Sequence, residues 1–347
     1  MPQQQHASQA GTALLSVLLL LSVVSALMVA LLDEMLLSLN VSQNAQDSLL
    51  ARYQATAAEA LALNELEALL ARNSGSLANV GNWNGKPLPV ALDRGRMTVT
   101  ISDYTACFNL NALVSSRAQR AGLTPRQSGL GTWPSAAEPR RTSLTMQRQF
   151  IALLEALEFS RGEAQRITAA IVDWLDSDRI AVSLGAEDGS YSAARGGYRT
   201  ANQLLRSVTE LLDIRGITPD IYARLAPSMC AHPSTKPAPI NVNLLKVDQA
   251  PLLMMLMPRA ITRDKARRVL AATPATGWQS VADFWDHPAL IGLQPGASVL
   301  SQTVVKSQYF KLHVAVALDR GEAQQTALFA VTQTGPIRVA RSWQGRL

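Results

Sequence analysis

The sequence is poor in charged, aromatic and cysteine residues, and these shortages exclude several classes of protein. Charged side chains make up 17% of the 347 residues and hydrophobic ones 48%, a balance opposite to that of disordered chains. Two cysteines are too few for a disulfide scaffold or a four-cysteine zinc site. The chain is long enough for two domains, each with its own buried core.

Charge is missing altogether from the first tenth of the chain, where no Asp, Glu, Lys or Arg precedes Asp33. The 21 residues from Thr12 to Leu32 contain nothing more polar than Ser and Thr. As a helix they would span roughly 30 Å, the thickness of a bilayer's hydrocarbon core. Residues 33–72 lack Pro and Gly, so we expect one helix of about sixty residues, half of it in a membrane.

Alternating β-branched residues mark the strands that we expect. They fall at Arg96–Tyr104, Tyr309–Leu318 and Gln325–Gln333, with a hairpin turn at 319–321 and an edge strand at Pro336–Trp343. Roughly two hundred residues with helical patterning separate the first strand from the second. The predicted fold class is therefore α+β, with a long N-terminal helix, an antiparallel sheet, and a large all-helical domain inserted between strands.

Several segments of the insertion have the apolar periodicity of helices. They are Arg148–Phe159, Arg161–Asp176, Ala201–Asp213, Pro219–Leu225, Gln249–Leu256 and Arg263–Ala272. Residues 122–143 are rich in Pro, Gly and Ser and are predicted to form a surface loop.

The junction between the polar leader and the apolar helix, Gly11-Thr12, resembles the class III leader of type IV pilins and pseudopilins. In those proteins a membrane peptidase cuts after the Gly and methylates the new N-terminus, so the anchor survives processing. Major pilins carry Glu at the fifth mature position, which here is the neutral Ser16. The resemblance implies a subunit that ends a filament, whereas an ordinary single-span anchor is the alternative.

Four further segments resemble the K minor pseudopilins of the type II secretion system. They open at Asp103 (DYTACFNLNAL), Asp173 (DWLDSDRIAVSLGAEDGSY), Tyr198 (YRTANQLLRSVTELLDIRGI) and Ile240 (INVNLL). The resemblance covers the chain and implies a pilin-like fold. Its parts are a leader at 1–11, a transmembrane packing helix at 12–32, a helix with first strands at 33–112, the insertion at 113–298, and strands at 299–347.

The same resemblance implies a function and a location. The chain would cap, and initiate, a periplasmic pseudopilus together with the I and J minor pseudopilins, with the H and major pseudopilins as further contacts. Its processing enzyme would be the prepilin peptidase. It would be a single-pass protein of the Gram-negative inner membrane with its soluble domain in the periplasm.

An acidic cluster lies at the end of a predicted helix, with Asp173, Asp176 and Asp178 at i, i+3 and i+5 and Glu187 and Asp188 after a loop. Carboxylates at the negative end of a helix repel one another, and Ca²⁺ would relieve this by accepting their oxygens. The family resemblance adds calcium binding by the helical domain. The expected ligands are Asp176, Asp178, Glu187 and Asp188, with Asp173 and Asn202 as bracing residues. A solvated acidic surface paired with Arg179, Arg195 or Arg199 is the alternative.

Cys107 and Cys230 would lie in the oxidising periplasm, where disulfides form. A bridge between them would tie the return of the insertion to its root and would stabilise the fold by about 4–5 kcal/mol in the chain-entropy model. Two free buried thiols are the alternative.

The rival functions are nucleic-acid binding and catalysis. Residues 240–284 are similar to a helix-hairpin-helix DNA module, as in a pilin-like DNA-uptake protein, but the hairpin at 257–262 has no Gly and Pro258 removes an N–H donor. We therefore expect no nucleic-acid partner. No Walker, Gly-x-Ser-x-Gly or His-Glu-x-x-His pattern occurs, so we expect no enzyme.

Overall fold

A computed structural model describes residues 7–72, 83–115, 137–192 and 197–344. Helix α1 runs unbroken from Ala7 to Arg72, a length of roughly 100 Å. It is the helix within the described residues that is long and apolar enough to cross a membrane, with a mean hydropathy of 2.8 in its apolar window. Every residue from 12 to 46 is exposed, so all buried residues described here lie C-terminal to this part of α1.

Within the described ranges, nine strands follow α1. They are β1 Pro87–Ala91, β2 Arg96–Asp103, β3 Phe108–Asn109, β4 Met229–Cys230, β5 Ile240–Asn241, β6 Thr303–Val304, β7 Tyr309–Ala317, β8 Glu322–Thr332 and β9 Gly335–Gln344. Five of them form an antiparallel sheet in the order β1-β2-β7-β8-β9. The predicted strands and the edge position of β9 are confirmed, as is the α+β fold class.

The second half of α1 packs on one face of this sheet. Its buried residues recur every three or four positions and are mostly alanines: Ala51, Ala55, Ala58, Ala62, Leu66 and Leu70. The alternate residues of β7, from Phe310 to Val316, fill the facing side. Small side chains let the helix lie close to the sheet, and this packing forms the first of two large cores.

The insertion contains the second core. Its helices are α2 Ala137–Ala156, α3 Arg161–Leu175, α4 Asp188–Ser192, α5 Pro219–Leu225, α6 Ala250–Met254, α7 Arg263–Ala271, α8 Val281–Trp285 and α9 Ala297–Gln302. Short 3₁₀ helices lie at Leu110–Leu113, Val208–Asp213, Ala226–Ser228 and Val247–Gln249. Fully buried side chains such as Phe150, Ile171 and Phe284 pack at its centre.

The chain leaves β2 and re-enters β7 at a hydrogen-bonded junction centred on Thr105. The Thr105 hydroxyl oxygen is buried and accepts from the backbone N–H groups of Gln308 and Tyr309, both at 3.0 Å. Tyr104 N donates to Tyr309 O at 2.8 Å. Residues 104–308, which lie between two neighbouring strands, are thereby held together at their two ends.

Several sequence predictions were wrong in detail. The insertion is not all helical, because β3 pairs with β4 and β5 with β6 in short parallel ladders. Helix α2 begins at Ala137, inside the predicted loop at 122–143, since Pro139 lies in the first turn, where a missing N–H breaks no helical bond. The rest of that loop, 122–136, lies outside the described residues. Residues 201–207 are not helical, because Asn202 has a φ of +47°.

A buried carboxylate joins α1 to β9. Glu59 is 4% exposed and pairs with Arg338 at 2.7 Å and with Arg341 at 2.8 Å. Gln325 also donates to it. Burial alone would raise the pKa of Glu59, but the hydrogen bonds and charges of Arg341 and Arg338 hold this pKa below 4.5. The pairing therefore contributes stability above pH 4.5 that is lost as the pH falls.

Glu59→Gln is expected to lower the free energy of unfolding by about 1–3 kcal/mol, because two guanidinium groups lose their charged acceptor. Urea unfolding at pH 7 measures the change. The matched control is Glu65→Gln, since Glu65 pairs with Arg72 at 2.9 Å and both side chains are exposed. This substitution should lower the free energy of unfolding by under about 0.5 kcal/mol. Equal effects of the two variants would contradict a stabilising role for the buried pair.

Candidate functional site

Helix α3 ends in the predicted acidic cluster. It begins at a capping box in which Glu163 N donates to Ser160 Oγ at 3.3 Å and Ser160 N donates to the Glu163 carboxylate at 3.0 Å. Asp173 lies in its last turn, and Asp176 is its C-cap residue. Because the C-terminal end of a helix carries partial negative charge, carboxylates placed there are destabilising unless a cation offsets them.

The loop after α3 folds back onto the cluster through backbone hydrogen bonds. Ile180 N donates to Asp178 Oδ1 at 2.9 Å, and Val182 N donates to Asp173 Oδ1 at 3.0 Å. Gly185 N donates to Val182 O at 2.8 Å. A Cβ at Gly185 would overlap the Asp173 carboxylate, so the loop can lie against Asp173 only with glycine at this position.

Three of the four predicted ligands come together. Asp176, Asp178 and Glu187 each place a carboxylate oxygen within 4.8 Å of the others. Asp176 and Glu187 are each 8% exposed, whereas Asp178 faces solvent. Such a set, with two carboxylates buried and one open to solvent, provides both low-dielectric ligands and a route for an ion to enter.

Four buried oxygens in this region have no hydrogen-bond partner among the described residues. They are Asp173 Oδ2, Asp176 Oδ1, Glu187 Oε1 and Asn202 Oδ1. Asn202 is tied to the end of α3, because its N–H donates to Trp174 O at 3.0 Å. Since buried polar atoms are nearly always partnered, these oxygens fit ligands of a hard cation.

The pKa values of the buried carboxylates also favour a bound cation. Burial raises the pKa of Asp176 to about 7, and the charges of Asp178, Asp173 and Glu187 contribute to the rise. Burial also raises the pKa of Glu187 and that of Asp173. The site therefore disfavours its own ionised form at neutral pH, and a bound divalent cation would reverse that preference.

Asp188, the fourth predicted ligand, is held differently. Its Oδ1 accepts from Thr200 N at 3.1 Å and from Thr200 Oγ1 at 2.9 Å. The hydrogen bonds from Thr200 lower the pKa of Asp188, and the charges of Arg199 and Arg179 lower it further. Asp188 is thus already satisfied by the protein, and it begins α4 outside the set of three close carboxylates.

The alternative of a solvated surface neutralised by arginines finds little geometric support. Within the described residues, no salt bridge within 4.0 Å joins Arg179 or Arg199 to Asp173, Asp176 or Glu187. Arg195 lies outside the described residues. The residues present therefore fit Ca²⁺, which takes six to eight oxygens from flexible loops, with Asp176, Asp178 and Glu187 as its holders.

The predicted processing residues lie near the start of α1. Gly11 and Thr12 are inside the helix, as is Ser16, whose hydroxyl donates to Thr12 O at 2.6 Å. Residues 1–6 lie outside the described residues. The side chain of Ser16 is therefore engaged by its own helix and is neutral, whereas a Glu at this position would carry a charge.

Cys107 and Cys230 are joined by a disulfide with a Cα–Cα distance of 5.7 Å. It lies at the β3–β4 ladder of the insertion, shortly after the chain leaves β2. His232 is 2% exposed beside it, and burial lowers the pKa of His232 to about 4. The thiols are thus paired in this structure, and the neighbouring imidazole is held neutral.

The hairpin between α6 and α7 differs from a phosphate-binding hairpin. Arg259 adopts a φ of +68°, the region where glycine is favoured. The Arg263 guanidinium donates to Ala156 O at 2.6 Å and pairs with Glu158 at 3.3 Å. One of the basic residues of α7 is therefore engaged by the C-terminal end of α2.

Sequence and structure comparisons give a consistent result. Two family models described as "Type II secretion system (T2SS), protein K" match residues 106–234 and 240–306. The chain is similar to the type II secretion system protein K of Klebsiella pneumoniae, 36% identical with 92% of each chain covered. It is also similar to that of Aeromonas hydrophila, 33% identical with 97% of each chain covered.

A solved structure is similar over most of the chain. It is the GspK–GspI–GspJ complex from the type 2 secretion system of enterotoxigenic Escherichia coli, in which the matched chain has a TM-score of 0.66 and 26% identity. The match covers 88% of this chain and 99% of the matched one. The predicted family is therefore confirmed by relatives and by fold.

Proposed function

The chain belongs to the protein K family of the type II secretion system, and on that premise we propose that it caps and initiates a periplasmic pseudopilus. Its partners in this role are subunits of the I and J kind, the H and major pseudopilins being further contacts. The prepilin peptidase would cleave and methylate it between Gly11 and Thr12. It acts as an assembly subunit with no catalytic site of its own, in the inner membrane of a Gram-negative bacterium.

The observation that carries the proposal is the division of α1 into two parts. Residues 12–46 are exposed throughout and include the apolar stretch of membrane length at 12–32, whereas residues from Ala51 onward pack on the sheet. Such a helix can leave the bilayer and pack among partner helices without disturbing either core. The K–I–J composition of the similar complex supports I and J as those partners.

Ser16 supports a position at the end of a filament. A carboxylate at this place would neutralise the terminal amine of the next subunit, and a hydroxyl bonded to Thr12 O cannot. The insertion, residues 104–308, would also stand above the sheet where another subunit would stack. We propose that both features prevent addition of a further subunit on one side.

The acidic cluster at the end of α3 is proposed to bind Ca²⁺ through Asp176, Asp178 and Glu187. The orphaned buried oxygens and the raised pKa of Asp176, to about 7, support it. The ion would stabilise the loop that connects α3 to α4. It would therefore fix the shape of the inserted domain and take no part in a reaction.

The exposed apolar residues of the soluble half of α1 indicate where partner helices pack. Leu49, Tyr53 and Leu61 are 70%, 73% and 70% exposed on the side away from the sheet. Tyr53→Asp with Leu61→Asp should weaken the complex at least about tenfold, the equivalent of 1.4 kcal/mol. Residues 34–347 retain every buried residue described above and can be co-expressed with the soluble parts of I and J from the same organism.

Native mass spectrometry of the purified sample should give one copy of each of the three subunits, and titration should measure the loss in the double variant. The matched control is Ile291→Asp, which has the same exposure, 70%, but lies in the insertion. A chain that stays monomeric while I and J associate with each other would overturn the proposal.

A further inference from the structure

The two edges of the five-stranded sheet differ in their capacity to accept another strand. Strand β1 carries Pro87 and Pro89. Tyr104 N donates to Tyr309 O at 2.8 Å, so even-numbered residues of β2 bond to β7 and odd-numbered ones to β1. Pro87 and Pro89 are paired with the even-numbered Thr100 and Thr98, and both prolines therefore direct their backbone away from β2. Because proline has no N–H, this outer edge is closed to strand addition.

Strand β9 forms the opposite edge and is open. Val331 N donates to Gln308 O at 2.9 Å, so odd-numbered residues of β8 bond to β7 and even-numbered residues bond to β9. Ser342 is paired with an even-numbered residue of β8. The backbone N–H and C=O groups of Arg341 and Trp343 therefore point outward, and no described strand lies beyond them.

A cleft of about 840 Å³ borders this edge. Its walls are residues 202–206 of the insertion on one side and β7, β8 and β9 on the other. Arg341 and Trp343 are among the residues that line it. An extended segment added to β9 would therefore also contact residues 202–206 of the insertion.

The cleft is cationic. Arg206 and Lys311 supply its positive charge, and none of its lining residues is acidic. Arg341 also lines the cleft, but its guanidinium is paired with Glu59. Lys311 Nζ lies 5.0 Å from the ring of Tyr104, and within the described part of the chain no carboxylate forms a salt bridge with it. Burial lowers the pKa of Lys311, so a carboxylate placed here would gain a partly desolvated partner.

We propose that β9 and this cleft receive an extended acidic segment of a partner subunit by strand addition. The segment would pair its backbone with Arg341 and Trp343 and direct carboxylates to Lys311 and Arg206. The inference rests on the proposed function, because it supplies a second surface for the same partners beside the α1 helix. A second copy of this chain is disfavoured, since its β9 carries no carboxylate to direct to Lys311 and Arg206.

Hydrogen exchange of residues 34–347, alone and in the complex with I and J, tests the proposal. The peptide that covers residues 338–344 should exchange at least about tenfold more slowly in the complex. The peptide that covers β1 should be unchanged, because its prolines close that edge. A complex that forms with β9 unprotected would overturn the inference and leave the proposed function standing, whereas failure to form any complex overturns both.

Two substitutions at one position separate backbone from side chain. Trp343→Pro removes an outward N–H and leaves the β8 ladder intact, and Trp343→Ala keeps that N–H. The proline variant should bind I and J at least about tenfold more weakly than the alanine variant at equal melting temperature, and equal binding would contradict strand addition. Protection of β9 in the isolated chain, with dimers in solution, would assign the edge to a second copy and overturn the acidic partner.

Discussion

Addition of Ca²⁺ to residues 34–347 is expected to raise the melting temperature by about 5 °C at a free concentration one hundred times the Kd, where binding contributes about 2.7 kcal/mol. Asp176→Asn should abolish that rise. The same variant should be more stable than the parent protein in chelator at pH 8, by up to about 4 kcal/mol, the energy of a pKa rise from 3.8 to about 7. One substitution thus has opposite effects with and without the ion.

The opposite signs follow from the pKa of Asp176. Its folded-state value, about 7, is above the ordinary 3.8, so the folded protein binds this proton more tightly than the unfolded chain. Without Ca²⁺, the tighter binding of this proton stabilises the folded protein. That stabilisation is fully present below pH 3.8 and is lost as the pH rises to about 7. With Ca²⁺ bound the carboxylate is paired, and proton competition should instead weaken Ca²⁺ binding as the pH falls through 7.

Differential scanning fluorimetry in Ca²⁺ and in chelator measures these shifts. Asp188→Asn is the matched control, because Asp188 Oδ1 already accepts two hydrogen bonds from Thr200. This variant should leave the Ca²⁺ response unchanged. Loss of the response in Asp188→Asn would restore Asp188 as a ligand. A melting temperature that does not respond to Ca²⁺ in the parent protein would contradict the metal site.

Removal of the disulfide is the second change with a large expected effect. Cys107 and Cys230 are separated by 123 residues, and closing a loop of this size stabilises a fold by about 4–5 kcal/mol in the chain-entropy model. Cys107→Ser with Cys230→Ser should therefore lower the free energy of unfolding by up to that amount. The local destabilisation should be largest at the β3–β4 ladder, which the disulfide joins.

Urea unfolding under non-reducing conditions measures the loss, and each single variant should match the double one, because either substitution breaks the same bond. Reduction of the parent protein should reproduce the effect. A cost under about 1 kcal/mol would show that the bridge does not restrain the unfolded chain as the loop-closure argument requires.

Local patterns were sufficient for the elements that depend on local sequence. The absence of Pro and Gly in residues 33–72 predicted the continuation of α1, and alternation predicted β2, β7 and β8. Pro87 and Pro89 concealed β1, because a strand with two prolines is tolerated only where they face outward. Asn202 excludes the first part of the helix predicted at 201–213, through a backbone conformation that its sequence neighbours do not reveal.

Long-range contacts could not be predicted in the same way. Glu59 and Arg338 are 279 residues apart, and nothing around Glu59 distinguishes it from the other acids of α1. In the acidic cluster, composition identified the carboxylates but could not tell that Thr200 satisfies Asp188. It also could not tell that the amide oxygen of Asn202 has no hydrogen-bond partner in the part of the chain that the structure describes.

The position of the chain in the filament is tested most directly by gold labelling of sheared pseudopili. The chain with α1 retained and a tag after Leu347 is produced with the other pseudopilins, and its labels are located by electron microscopy. The account predicts label at one end of each pseudopilus and none along its length. Label distributed along the fibre would contradict a capping subunit and would require that Ser16 and the insertion permit stacking.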